Sequence, residues 1–206
     1  MLLAGVVLLG AIAWATRVRL LDEQGGAWWI GWFEKARLGE PATLAFAKRF
    51  SFPFPVPSAT LKLRADFSYE ASFDGIPVGV GGRKEAPGGS DVPLEVWLLE
   101  GPIAPGPHEI VVIVSHPEGV ASLRLSLDAE RIGRNCIVTD PTWRVDDDAE
   151  RIRERGFEGA RYPATPWARP PLSSWGVSSS IRLVRGTMSI SSRGVSSRIP
   201  SRAATE

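Results

Sequence analysis

Alternating apolar and polar positions dominate the middle of the chain and predict β-strands. In residues 59–66 every second side chain is apolar. One face of this segment therefore carries Ala59, Leu61, Leu63 and Ala65, and the other carries Thr60, Lys62, Arg64 and Asp66. A period of two with one apolar side indicates an antiparallel strand that packs on a core through one face only. Residues 120–128 show the same alternation and predict another strand of this kind.

The segment ADFSYEASFDGIPVG, residues 65–79, predicts a β-hairpin. Tyr69, Ala71 and Phe73 alternate with polar residues, so we expect them to face the core. An Asp-Gly dipeptide tolerates positive φ angles, and Asp74–Gly75 therefore predicts a tight primed turn between the two strands.

Further short apolar segments follow at intervals of roughly 10 residues, separated by turns that contain Gly and Pro. Residues 43–50 and 92–99 are two of them, and residues 108–115 are apolar almost throughout, as expected for a strand covered on both faces. Pro53, Pro55 and Pro57 predict an edge or a crossover between sheets, because proline cannot donate a hydrogen bond in a central strand. The pattern predicts an all-β protein, an antiparallel β-sandwich or jelly roll.

The chain divides into four segments. Residues 1–26 are an apolar N-terminal segment and connector, 27–145 the sandwich, 146–172 a helix and extended linker, and 173–206 a Ser- and Arg-rich tail. A short helix is predicted over Asp146–Gly156, since acidic residues at its start and arginines near its end suit the helix dipole. The tail nearly lacks acids and apolar periodicity, so we predict disorder. It is either a basic tail for an acidic partner or the product of a shifted or truncated reading frame, which we favour.

The apolar segment from Met1 to Ala15 is shorter than the roughly 20 residues that span a bilayer. It resembles the core of a signal peptide, and Ala13-Trp14-Ala15 has the form of a cleavage site, but no Lys or Arg precedes it. The alternatives are a buried first strand and a misplaced start codon. The protein is secreted or at the cell surface if this segment is a signal peptide, and cytoplasmic otherwise. No later apolar segment reaches this length, which argues against an integral membrane span.

Composition narrows the classes of function. The net charge of +1 gives no basis for a nucleic-acid-binding surface. Cys136 is the single cysteine, so an internal disulfide and a zinc site built from cysteines are both excluded. Beside Ile137 and Val138, it is most simply a small buried side chain. No Asp-rich calcium loop and no glycine-rich phosphate loop is present, and we predict no metal and no cofactor.

Three local patterns, in this order along the chain, resemble those of a known family. SYEASFDG resembles the Y-x-L-x-V-N-G hairpin of galactose-binding-like jelly-roll modules, and GPIAPGPHEIVVIV resembles their L-x-P-G-x-N segment. IVTDPTWRV resembles the T-D-x-S-W-R segment that ends the N-terminal β-sandwich of α-L-rhamnosidase-type glycoside hydrolases. The resemblance covers roughly residues 27–145 and implies a non-catalytic accessory module that packs on a catalytic domain and shapes its sugar site.

The chain departs from this family pattern at two positions and in length. Asp74 stands where the family usually has Asn in the turn, and His108 stands where it usually has Asn after the Pro-Gly turn. The family's catalytic carboxylates lie on a separate α/α barrel of several hundred residues, and the residues after Val145 are too few to form it. The implied catalytic domain is therefore a missing partner.

Catalytic chemistry on this chain itself is not predicted. Glycoside hydrolysis needs two converging carboxylates, whereas Asp146, Asp147 and Asp148 are consecutive and would point in different directions on a helix. A helix N-terminus explains these acids better. His108 and His116, the only histidines, are expected at opposite ends of one strand. A small complete hydrolase remains the least favoured hypothesis.

Sugar binding would place an aromatic ring under a pyranose and polar groups around it. The candidate rings are Tyr69, Trp97 and Trp143, and the candidate polar partners are Asp66, Asp74 and Arg83. The alternative for each ring is core or interdomain packing, which is the more common role of Trp and Tyr in a sandwich. The expected partner is an oligosaccharide such as a rhamnoside glycan. A protein-binding or adhesion sandwich, exported through its apolar start, is the alternative function.

Overall fold

The computed structural model describes residues 24–35, 39–82, 92, 94–167, 181–182 and 187–189. The predicted signal peptide, Arg83 and most of the linker and tail after Trp167 lie outside these residues. Within the segment predicted to be disordered, the structure describes two short strands, Ile181–Arg182 and Thr187–Ser189.

The described strands form two sheets. In spatial order, the first sheet contains β12 (Thr165–Trp167), β1 (Trp29–Gly31), β8 (Leu123–Ala129), β3 (Val56–Ala65) and β6 (Leu94–Ile103). β9 (Gly133–Val138) pairs with β8, and β13 (Ile181–Arg182) and β14 (Thr187–Ser189) pair in parallel with β6. The second sheet contains β11 (Tyr162–Pro163), β10 (Arg144–Asp146), β2 (Ala42–Phe52), β7 (Gly106–His116), β4 (Ser68–Phe73) and β5 (Ile76–Gly82). All pairings other than those of β13 and β14 are antiparallel, which confirms the predicted β-sandwich.

The main core lies between the two sheets and uses the apolar faces that alternation predicted. Leu61 and Leu63 of β3 and Leu125 of β8 are fully buried from the first sheet. Phe46 of β2 and Phe73 of β4 meet them from the second sheet, also without solvent exposure. Burial of these side chains, worth roughly 1.5–3 kcal/mol for each large one, is the dominant stabilising contribution.

A second apolar cluster covers the outer face of the second sheet. Helix α1 (Ala149–Arg155), followed by a 3₁₀ turn at Gly156–Gly159, packs there. Ile152 of α1 contacts a cluster that includes Ala45, Val111 and Ile113. The nearly continuous apolar sequence of β7 is explained because both faces of this strand are covered, one by the main core and the other by α1. This agrees with the prediction for a strand covered on both sides.

The proline-rich segment after β2 carries the chain from one sheet to the other. Pro53 and Pro55 lie between β2 of the second sheet and β3 of the first. Pro57 lies inside β3, next to an irregularity in its pairing with β6 between Val56 and Ser58. The predicted crossover is confirmed for Pro53 and Pro55. For Pro57 the prediction is wrong, because it lies in β3 between β8 and β6, which tolerates a proline where the ladder of hydrogen bonds is interrupted.

The start of α1 is fixed by the three consecutive aspartates. The Asp148 side chain caps the helix by accepting a hydrogen bond from the Arg151 backbone N–H at 2.9 Å. Asp147 is exposed and pairs with Lys35 at 2.9 Å. Asp146 is fully buried, accepts from Arg161 Nε at 2.9 Å and forms an ion pair with Arg151. The acids thus have three separate structural contacts, in line with the predicted helix N-terminus.

The electrostatics of Asp146 follow from these contacts. Burial alone would raise the pKa of its carboxyl. The hydrogen bonds from Arg161, from the backbone N–H groups of Asp148 and Arg161, and from Arg151 outweigh burial and hold the pKa well below its usual range.

Among the helices that the structure describes, none has the length and apolar character needed to span a membrane.

We expect Asp146→Asn to lower the free energy of unfolding by about 3 kcal/mol at pH 7, because it leaves two arginines facing a neutral buried group. Since the folded pKa of Asp146 is lowered, its contribution is present above the unfolded pKa of about 4 and disappears as pH falls through the folded pKa. Urea denaturation should therefore show the difference between wild type and variant shrinking below about pH 4.

Asp147→Asn is the matched control, because its carboxylate is exposed and its ion pair with Lys35 is worth only about 0–1 kcal/mol. Equal stability of the Asp146→Asn variant and wild type at pH 7 would contradict this account of the helix start.

Candidate carbohydrate-binding surfaces

The structure brings two of the predicted ring residues, Tyr69 of β4 and Trp97 of β6, into contact inside the sandwich. They are 3% and 6% exposed. The Trp97 indole Nε1 donates to the Tyr69 hydroxyl at 2.8 Å, and the hydroxyl donates in turn to the Glu95 carboxylate. The second Glu95 oxygen accepts from the Gly82 backbone N–H at 2.9 Å. The two rings are therefore buried and hydrogen-bonded to each other inside the sandwich.

This polar network is buried beneath strand β5. Burial, together with the hydrogen bond to Glu95, raises the pKa of the Tyr69 phenol. Glycines 79 and 81 allow β5 to lie against the network. A Cβ at Gly79 would lie 2.2 Å from the Trp97 ring, and one at Gly81 would lie 1.9 Å from a Glu95 oxygen. Sequence reasoning did not identify Glu95, since a single acid in an apolar strand gives no signal of its partners.

The Asp74–Gly75 turn has the predicted primed geometry and also contacts the next core strand. Both residues have positive φ, 52° and 74°. The Asp74 carboxylate accepts from the Glu109 backbone N–H at 2.8 Å and bonds the His108 Nδ1 at 2.8 Å. His108 Nε2 donates to the Ala104 carbonyl at 2.8 Å, so the imidazole is held between the turn and the backbone before β7. The two departures from the family pattern thus form one contact.

The remaining predicted residues are also engaged in the fold. Trp143 is fully buried in the main core, and its indole donates to the Val138 carbonyl at 2.8 Å. Asp66 is 5% exposed, and one of its carboxylate oxygens lies 4.0 Å from His116 Nε2. Arg83 lies outside the described residues. None of the described candidate rings offers an open face to a ligand.

The side chains that could act as a nucleophile or as metal ligands are engaged in the fold or lie apart from one another. Cys136 packs against the main core and its thiol donates to the Leu127 carbonyl at 3.2 Å. Burial raises the pKa of this thiol, which disfavours the reactive thiolate. Among the residues that the structure describes, no group of three His, Cys, Asp or Glu side chains is arranged to hold a metal ion.

A surface cleft of about 630 Å³ lies next to helix α1. We call it the helix cleft. Its floor is the outer face of the second sheet, where Ser72 of β4 and Val111 and Ile113 of β7 lie, and residues 152–156 form one wall. Pro77 and Val80 of β5 form the opposite side, where Val80 is 71% exposed. The cleft exists because α1 covers β2 and β7 but not β4 and β5.

Charged side chains line the rim of the helix cleft in pairs. Arg153 of α1 binds Glu70 of β4 at 2.9 Å across the cleft, with side-chain exposures of 41% and 58%. Arg49 of β2 lies 3.5 Å from the Glu109 carboxylate. Sequence reasoning missed these residues, because they come from four elements that are distant along the chain.

Two smaller surface concavities lie elsewhere on the module. One, of about 460 Å³, lies at the turn between β8 and β9 around residues 128–134. The other, of about 350 Å³, lies beside Lys35, Glu40 and Asp147. The first is lined by residues of β3, β8 and β9 and the turn between β8 and β9, and the second by the start of β2 and neighbouring residues.

Comparison with known proteins shows the same β-sandwich fold in solved carbohydrate-related structures. An α-L-rhamnosidase from Streptomyces avermitilis, solved with L-rhamnose, is 25% identical with a TM-score of 0.56, over 71% of this chain and 15% of that chain. An α-L-rhamnosidase from Aspergillus terreus is 18% identical with a TM-score of 0.57, over 73% and 22%. A lectin from Pleurotus ostreatus is 20% identical with a TM-score of 0.52, over 75% and 43%.

The predicted resemblance to a module of α-L-rhamnosidases is therefore confirmed. The match spans only 15–22% of the two rhamnosidase chains, so the likeness is to one part of those enzymes. A scan of protein-family models and a search of curated proteins found no match.

We expect Tyr69→Phe to lower the free energy of unfolding by about 1–3 kcal/mol, because it leaves the buried Trp97 N–H without its acceptor and one Glu95 oxygen without its donor. Tyr162→Phe is the matched control, since Tyr162 is 37% exposed and should change stability by less than about 0.5 kcal/mol. Equal effects of the two substitutions in chemical denaturation would contradict the proposed network.

The Asp74–His108 contact can be measured with a double-mutant cycle. We expect Asp74→Asn and His108→Asn each to destabilise the protein, and the double variant to lose about 1 kcal/mol less than the sum, because each single change leaves the other partner unmatched. Urea denaturation of the four proteins gives this coupling. Additivity within about 0.3 kcal/mol would show that the two residues act independently.

Proposed function

We propose that this chain is a non-catalytic, carbohydrate-binding-like accessory module of an α-L-rhamnosidase-like glycoside hydrolase. The observation that carries the proposal is the likeness to the Streptomyces avermitilis rhamnosidase, over 71% of this chain but 15% of that enzyme. A stretch of this size corresponds to one module in a longer protein. The jelly-roll topology and the pairing with a catalytic domain are parts of this proposal.

The surroundings of the acidic residues support a non-catalytic role. A glycosidase needs one carboxyl with a raised pKa and a second carboxylate about 5–9.5 Å away. Asp146 has a lowered pKa and is enclosed by arginines, and Asp148 is a helix cap. Glu95 is hydrogen-bonded inside the sandwich, beneath β5. These carboxylates have positions that suit stability rather than proton transfer to a sugar.

The surface of the module supports ligand binding over an adhesion role. The adhesion alternative predicts a contiguous exposed apolar patch without a groove of sugar size. Among the described residues, the exposed large apolar side chains Trp28, Phe54, Leu98 and Tyr162 are scattered along the chain, and only Ile76 and Val80 share a strand, β5. The helix cleft has a volume within the range of about 300–1,000 Å³ that is typical of ligand sites. For Tyr69, Trp97 and Trp143 we infer a packing role, so the sugar would contact other residues.

Calorimetric titration and a glycan array test this proposal on the full chain. We expect saturable binding to at least one oligosaccharide that contains L-rhamnose, and no hydrolysis of an aryl α-L-rhamnoside. An absence of binding to rhamnose-, galactose- and glucose-containing ligands would remove the carbohydrate-binding part and leave only a packing role. Hydrolysis that is abolished by an Asp→Asn substitution would overturn the non-catalytic assignment.

A further inference from the structure

We propose that the helix cleft is the ligand site of this module and that it takes a neutral, hydroxyl-rich ligand, a short oligosaccharide. This inference rests on the proposed function, because it assigns a location and a binding chemistry to it. It differs from the predicted site, whose aromatic rings are buried.

The balance of charge in the cleft points to a neutral ligand. Arg49, Arg153 and Arg155 line it, and so do three acids, Glu70, Glu109 and Glu154. An anionic ligand would face the three carboxylates, and a cationic ligand would face the three guanidinium groups. A hydroxyl group both donates and accepts, so it can bond to an arginine and a carboxylate at once.

The positions of these groups suit hydroxyl recognition at an edge rather than in a closed pocket. The Arg153–Glu70 pair bridges α1 and β4 while both side chains stay about half exposed. Each therefore keeps free hydrogen-bonding positions that can point towards a ligand. Arg49 also binds Glu158 and stacks over the Phe157 ring, at 5.3 Å from its centroid, so the guanidinium is held in place.

The floor of the cleft supplies the apolar contact that a sugar ring requires. Pro77 and the 71% exposed Val80 present apolar surface on the cleft side of β5. Ala71 and Gly79 contribute only backbone there, because Ala71 packs in the main core and a Cβ at Gly79 would point at the Trp97 ring. Val111 and Ile113 continue this surface beneath α1, where they are 8% and 6% exposed. The floor consists of paired strands β7, β4 and β5, which makes it rigid before a ligand binds.

Titration of the ¹⁵N-labelled full chain, followed by amide NMR spectra, tests the assignment. The probes are L-rhamnose, D-galactose and a disaccharide that contains L-rhamnose. We expect the largest shifts at the amides of Ala71, Gly79, Val80 and Ile113. Glu70→Gln with Arg153→Gln should weaken binding at least tenfold, and Ser72→Trp should abolish it by filling the cleft.

The matched control is Lys35→Gln with Asp147→Asn, an equally exposed ion pair away from the cleft, which should change affinity less than twofold. Thermal melting checks that each variant is folded, and the conservative Gln pair keeps the test valid if Ser72→Trp is unstable. Binding that maps to residues 130–134 and survives both cleft variants would overturn the assignment and leave the proposed function intact. A wild-type chain that binds none of the probes would overturn the assignment together with the carbohydrate-binding part of the proposed function.

Discussion

The antiparallel pairing of β2 with β7 is the interaction on which the rest of this structure depends. It runs unbroken for the full length of both strands, from Ala42 opposite His116 to Phe52 opposite Gly106. Each strand contributes side chains to the main core on one face and to the cluster beneath α1 on the other. Because both faces are covered, the pair is shielded from water, and β4 and β10 are positioned by their pairing with it.

The placement of α1 on this pair decides the shape of the module's surface. Asp146 and the capping contact of Asp148 fix where the helix begins, and Ile152 fixes which face it presents to the sheet. The helix is only two turns long, so it covers two strands and ends before β4 and β5. The outer face of β4 and β5, which the helix leaves uncovered, borders the helix cleft. The charged residues at the rim of the cleft come from the strands on one side and from the helix on the other.

The hairpin turn at Asp74 combines a local conformational preference with contacts to a strand that is distant in sequence. The positive φ angles of Asp74 and Gly75 follow from the dipeptide itself. The bonds from Asp74 to Glu109 and His108 exist only because β4 lies beside β7. Both departures from the family pattern meet at this point, and the contact keeps a hydrogen-bonded link between the turn and the start of the core strand.

The sequence alone determined the long strands, the crossover, the primed turn and the presence of the short helix, because each is a local consequence of side-chain period, proline or a capping residue. It did not predict β11 to β14, which lie in the segments assigned to the linker and tail, and the helix begins at Ala149 rather than at Asp146. Alternation also identified which faces of β3, β4 and β8 enter the core. It could not tell a ring that faces the core from one that binds a ligand, since Tyr69, Trp97 and Trp143 have the same residue types in either case.

Only the tertiary structure decided the surroundings of these rings, the pairing of Glu95 and the existence of the helix cleft. Burial and hydrogen-bond partners depend on which strands become neighbours, and Arg49, Glu70, Glu109 and Arg153 are brought together by sheet order rather than by spacing along the chain. A single sequence encodes local conformation directly, whereas long-range contacts arise from the packing of the whole chain.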